Sequence, residues 1–148
     1  MFVSEADASC LIDEALPDEV KLLPDRLKAV DAVLAEPAVM EGFRRHWECA
    51  ALGHGRPSLP MATYVRLMYL KVTTGWGYER LMDQVSDSLA LRRFCRIAVI
   101  DEVPDESTVR KLTRRLGSEV IDEATRAVLK KAVAERGFRP RALCADST

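Results

Sequence analysis

Two groups of residues in this sequence have the types and spacing to do chemistry on phosphates. The first is a basic run within one predicted helix: Ser107, Thr108, Arg110, Lys111, Arg114 and Arg115, opened by Pro104-Asp105 and closed by Gly117. An apolar stripe of Val109, Leu112 and Leu116 turns inward, which sets the four basic side chains on the opposite side. Short polar groups leading and arginines following suit a DNA-reading helix. Backbone N–H groups at its start can meet phosphate oxygens, and the planar fork of arginine spans two acceptors on a guanine or a phosphate. The plainer reading is a solvated face balanced by Asp101, Glu102, Asp105 and Glu106. Arg92, Arg93 and Arg96 form a second basic cluster on a separate short helix, and two clusters together could follow a DNA backbone.

The second group is a single acid. Arg141-Ala-Leu-Cys-Ala-Asp146-Ser-Thr148 reads as a short apolar strand that ends on one carboxylate. Metal-dependent phosphoryl transfer needs several carboxylates converging on two cations. Asp146 alone is a fraction of such a site, and an aspartate after a strand is also an ordinary turn residue.

Other chemistries find no support. Phosphate loops, dinucleotide loops and nucleophile elbows are missing as motifs. Cys10, Cys49, Cys95 and Cys144 lie too far apart for a C-x-x-C zinc site and are read as reduced, mostly buried thiols. His46 and Cys49 stand one helical turn apart, but a packed helix face beside Trp47 explains them better than a metal. The aromatic residues do not alternate with basic ones as a single-strand stacking platform requires, so most are assigned to the core. No apolar run is long enough for a bilayer and no signal peptide is visible, so the expected location is the cytoplasm.

The elements that must position these groups are helices. With 48% apolar and 30% charged residues the chain is an ordinary globular protein, not a disordered tail. Leu27, Val30 and Leu34 keep a helical period after Pro24, and a further helix is predicted from 38 to 51. Two glycines and two prolines over 53–60 make a loop. Residues 61–74 are apolar nearly all round, with only Arg66 and Lys71 charged, which marks a central helix. Gly75-Trp-Gly77 turns into an amphipathic helix from Tyr78, and the pair has the form of a helix-turn-helix. Ser86-Asp-Ser88 can cap a short helix from Leu89, and another helix is predicted from 118 to 137 before the closing strand.

The expected fold is therefore mainly α, a helical bundle with helix-turn-helix-like elements that ends in one short β-strand. Three parts are expected: an acidic helical segment over 1–54, a helical DNA-binding region over 55–138, and a strand over 139–148. Charge follows the division. Residues 1–55 carry eleven acids and five bases, net −6, while 56–148 carry seventeen bases and twelve acids, net +5, which together give −1.

Gly55-Arg-Pro-Ser-Leu-Pro60, Tyr64-Val-Arg-Leu-Met-Tyr-Leu70, Gly77-Tyr-Glu-Arg-Leu81, Asp87-Ser-Leu-Ala-Leu-Arg-Arg-Phe94 and Val103-Pro-Asp-Glu-Ser-Thr-Val-Arg-Lys-Leu112, in that order, resemble the N-terminal region of bacterial insertion-sequence DDE transposases. The resemblance implies that the helical region binds double-stranded DNA at terminal inverted repeats and helps the enzyme to dimerise. It also implies that the strand at 142–145 begins a ribonuclease H-like domain, with Asp146 as its first catalytic, metal-binding acid. In the intact family enzyme that acid and its partners hold Mg2+. One carboxylate cannot hold two metals, so no tight metal binding and no strand cleavage is expected of this chain alone. On this reading Arg92, Arg93, Arg96, Arg114 and Arg115 anchor phosphates, while Ser107, Thr108, Arg110 and Lys111 read base edges. The partners would be the repeats, a second copy, or a full-length transposase in a mixed dimer, with no membrane involved. The rival expectation is a helical protein-interaction or dimerisation module without specific DNA binding, and less favoured is a nuclease completed in trans by a separate chain.

Overall fold

A computed structural model describes residues 15–51 and 59–117, together with Asp122, Arg126, Lys130 and Lys131. Seven helices occur among the described residues: α1 (Asp18–Lys21), α2 (Asp25–Leu34), α3 (Pro37–Ala51), α4 (Met61–Thr74), α5 (Tyr78–Asp87), α6 (Leu89–Phe94) and α7 (Glu106–Leu116). No strand occurs among them. The strand at 142–145 and Asp146 lie outside the described residues, as do most of the helix expected over 118–137. Within that stretch Lys131 donates to the Glu36 carboxylate.

The centre is α4. Every residue from Thr63 to Leu70 is buried, as its apolar circumference requires, and no other helix here is enclosed on all sides. It starts after Pro60, whose fixed φ suits an extended entry, and stops at Gly75, which takes the left-handed conformation at φ 73°. Around it α3 packs on α2, α4 and α7, while α5 packs on α4, α6 and α7. The shared core holds Val30, Val33 and Leu34 of α2, Leu67 of α4, Leu81 and Val85 of α5, Phe94 of α6 and Val109 of α7. Tyr69 meets Phe94 at 5.9 Å between ring centroids, and Trp47 of α3 meets Tyr64 at 5.4 Å. His46, expected on a packed face, is exposed instead: the turn of α3 that carries Trp47 inward faces its neighbour to solvent.

Two polar clusters are built into this core. Arg66 is 1% exposed and donates to Asp31 Oδ1 of α2 from Nε at 3.0 Å and Nη2 at 2.8 Å, and to the Ala62 carbonyl from Nη1 at 3.1 Å. Burial lowers the Arg66 pKa, and the bonds to Asp31 work against that shift. Thr113 of α7 reads as polar in sequence, yet it is buried. Its hydroxyl lies 2.9 Å from the Val109 carbonyl and 2.9 Å from the Tyr64 hydroxyl, so it docks α7 onto α4 without an orphaned polar group.

Burial pushes the Tyr64 phenol up to about 12 and raises Tyr69 as well. An unfolded chain releases these protons near the ordinary value of 10.0, whereas the folded chain holds them longer. Stability is therefore fully present below about pH 10 and is lost as pH rises toward 12. Urea midpoints that fall across that interval, together with late tyrosinate absorbance, are the expected result.

The glycine turn Gly75-Trp76-Gly77 does join two packed helices, α4 and α5. The basic helix α7 packs on α5 and bonds to α4 through Thr113, but it is not joined to that pair by the turn. It follows α6 through residues 95–105, well beyond the turn of about three or four residues that defines a helix-turn-helix.

Candidate nucleic-acid interface

Helix α7 begins because Asp105 caps it. The Asp105 carboxylate accepts from the Ser107 amide at 3.1 Å and from the Ser107 hydroxyl, while the Asp105 carbonyl accepts from the Thr108 amide at 3.0 Å. These bonds hold the carboxyl below its ordinary range, the side-chain bond from Ser107 contributing most. The start of α7 thus carries an anion of its own. Ser107, expected to read a base edge, spends its hydroxyl and its amide on the cap.

Beyond that first turn the basic face is as the pattern of Val109 and Leu112 dictates. Those two side chains and Thr113 are buried, so the face opposite them runs through Lys111 and Arg114, both exposed. Arg115 is exposed on one flank and Thr108 half-buried near it; Arg110 is half-buried on the other flank. Arg110 is held in two ways, by Glu106 one turn earlier at 3.6 Å and by the Tyr78 ring of α5 at 5.4 Å from its centroid. Among the described residues no carboxylate lies within 4.0 Å of Lys111, Arg114 or Arg115. Arg114 and Arg115 also suit the negative end of the helix dipole.

The second basic cluster is placed differently. Helix α6 packs on α1, α2 and α5, not on the flank that carries α7. Arg92 turns back over its own helix end. Its Nε donates to Ser86 O at 3.1 Å, and its Nη1 donates to Ala98 O at 3.1 Å and Asp101 O at 2.9 Å. That makes Arg92 a brace for the connector before α7. Arg93 and Arg96 are half-buried. Cys95 between them is buried, and desolvation pushes its thiol up, which leaves it unreactive.

Arg96 has φ 60°, the left-handed region that glycine occupies more cheaply. It closes α6 as a Schellman motif, with Arg96 N donating to Arg93 O at 3.1 Å and Ile97 N to Arg92 O at 2.9 Å. Arg96→Gly is expected to gain about 0.5–1 kcal/mol, the left-handed penalty less the added chain entropy of glycine. A urea series on the two proteins measures that gain, and a loss of stability would show that the arginine side chain itself holds the turn.

The sequence pattern missed two basic residues of this region, Lys71 and Arg80. Lys71 Nζ stands 4.8 Å from the Tyr78 ring centroid, on the same ring that Arg110 approaches, and Arg80 lies 5.9 Å from the Trp76 ring centroid. The signal was present only as isolated charges on either side of a glycine turn, because the ring that gathers them joins two helices.

No group of three or more His, Cys, Asp or Glu side chains suited to a metal ion occurs among the described residues. None of the helices there is long and apolar enough to cross a membrane. A family model described as a transposase domain (DUF772) matches residues 14–115. No curated protein and no solved structure matches the chain.

Proposed function

The chain belongs to the transposase-domain family, and from that premise we propose that it recognises DNA for an insertion-sequence transposase, binding terminal inverted repeats through the outer face of α7. The observation that carries this reading is the exposed row of Lys111, Arg114 and Arg115 without a neutralising carboxylate within 4.0 Å among the described residues. A helix whose apolar side is fixed in a core presents its other side as a rigid unit, which is what groove binding requires.

Lys111, Arg114 and Arg115 anchor phosphates. Arg110, pre-aimed by Glu106 and Tyr78, is the best placed to meet a base edge, with Thr108 beside the row on the far flank. Arg96, half-buried just past the end of α6, is a further phosphate ligand in this reading. Arg92 and Arg93 contribute at most at the edge of this surface, and Ser107 acts through the cap. Asp146 would be the first of the acids that hold Mg2+ in a complete catalytic domain. Paired ends imply a second copy of the chain, or a full-length transposase, as a partner within the cytoplasm.

A gel-shift comparison tests the reading. The chain should shift a duplex carrying the inverted repeats that flank its gene at lower concentration than a scrambled duplex. Equal failure on both, with salt-insensitive binding to a protein partner, would favour a helical interaction module.

A further inference from the structure

The row on α7 does not end at Arg110. The Tyr78 ring at the start of α5 carries that arginine at 5.4 Å and Lys71, from the last turn of α4, at 4.8 Å. Two cations that share one ring centroid at these distances are no more than about 10 Å from each other. Like charges repel, and a ring quadrupole attracts each of them without neutralising either. Arg80, exposed one turn into α5 on the Trp76 ring, adds a third. Only Arg110 has a carboxylate: among the described residues neither Lys71 nor Arg80 has one within 4.0 Å. Three helices thus gather three cations at one corner, and among the described residues Glu106 is the one carboxylate within 4.0 Å of any of them.

We propose that Lys71 and Arg80, gathered on Tyr78 and Trp76 beside Arg110, form a second phosphate-binding site that holds the DNA backbone beside the segment contacted by α7. The ligand class is the phosphodiester of duplex DNA. Phosphates along one DNA strand can accept a charge-assisted bond from the ammonium and from the guanidinium, and so offset the positive charge gathered there. Aromatic rings keep the long side chains ordered beforehand, so less rotamer entropy is lost when the phosphate arrives. Because α5 packs on both α4 and α7, the site is rigidly tied to the row of Lys111 and Arg114, and the two would engage one duplex together. This inference rests on the DNA-binding reading of α7.

Its test uses the whole chain, duplex DNA bearing the terminal repeats, and a salt titration of binding. Lys71→Gln with Arg80→Gln removes two phosphate contacts and leaves the α7 row untouched. The expected result is binding weaker by between about tenfold and a hundredfold near 0.1 M salt, with the slope of log K against log salt shallower by about 2. Lys71→Arg with Arg80→Lys keeps the charges and should restore both affinity and slope, which separates charge from any effect on packing. A double glutamine variant that keeps the wild-type slope overturns this proposal alone, and so does a charge-keeping variant that fails to restore binding while melting like wild type. A wild-type chain that binds no duplex overturns the α7 reading and this site with it.

Discussion

Replacing Lys111 and Arg114 by glutamate is expected to abolish binding to the terminal repeats at physiological salt while leaving the helical fold in place. Both side chains are exposed and point away from Val109 and Leu112, so the core does not register the change. Surface substitutions of this kind move stability by about 0.5 kcal/mol, with up to about 1 kcal/mol more for an acid near the helix C-terminus. Binding responds far more strongly. Each lost phosphate contact removes about 0.9 from the slope of log K against log salt, and reversal adds repulsion to the loss. A fall of at least about a hundredfold is expected, measured by anisotropy with a labelled duplex. Retained affinity in a folded double variant would remove α7 from the interface.

The largest expected effect on stability lies inside the core, at the Arg66–Asp31 pair. Arg66 is 1% exposed, and its two bonds to one oxygen of Asp31 are what make its burial tolerable. Asp31→Ala strands that guanidinium, which costs about 3 kcal/mol, the lower end for a broken buried pair because the Asp31 side chain is itself 30% exposed. For a chain of this size that lowers Tm by roughly 10 °C. The reverse deletion is milder. Arg66→Met removes the buried charge, and the carboxylate left behind can be hydrated from its exposed side. Combining Arg66→Met with Asp31→Leu should return stability to within about 1 kcal/mol of wild type, since an apolar pair of similar volume avoids both desolvation costs. Urea unfolding of the four proteins measures these differences. An Arg66→Met protein less stable than Asp31→Ala would contradict the account, showing that the shape of the arginine matters more than its charge.

That pair also shows where sequence stops being informative. The bounds of α4 were legible because an apolar circumference and the glycine after Thr74 are local signals. The cap of α7 was legible only as a choice between Asp105 and Ser107, of which the structure uses Asp105. Arg66 stood out as a charge in an apolar helix, but its partner is 35 residues upstream and no local spacing points to it. Thr113 was invisible as a core residue because its hydroxyl is satisfied partly by its own helix and partly by Tyr64. Basic residues were legible as charges, not as roles. Arg92 looked like Arg114, yet carbonyls of the last turn of α5 and of the connector after α6 claim its guanidinium. The corner of Lys71, Tyr78 and Arg110 needed tertiary packing to exist at all.

The central claim, that α7 grips the terminal repeats, is tested most directly by measuring Kd for the repeat duplex and for a scrambled duplex of equal length across a salt series. Tighter binding to the repeats at every salt, with log K falling at a slope of roughly −5 to −6 for the four anchors of the α7 surface and the two added by Lys71 and Arg80, is the predicted result. Binding that is absent, or equal on both duplexes and indifferent to salt, would contradict it.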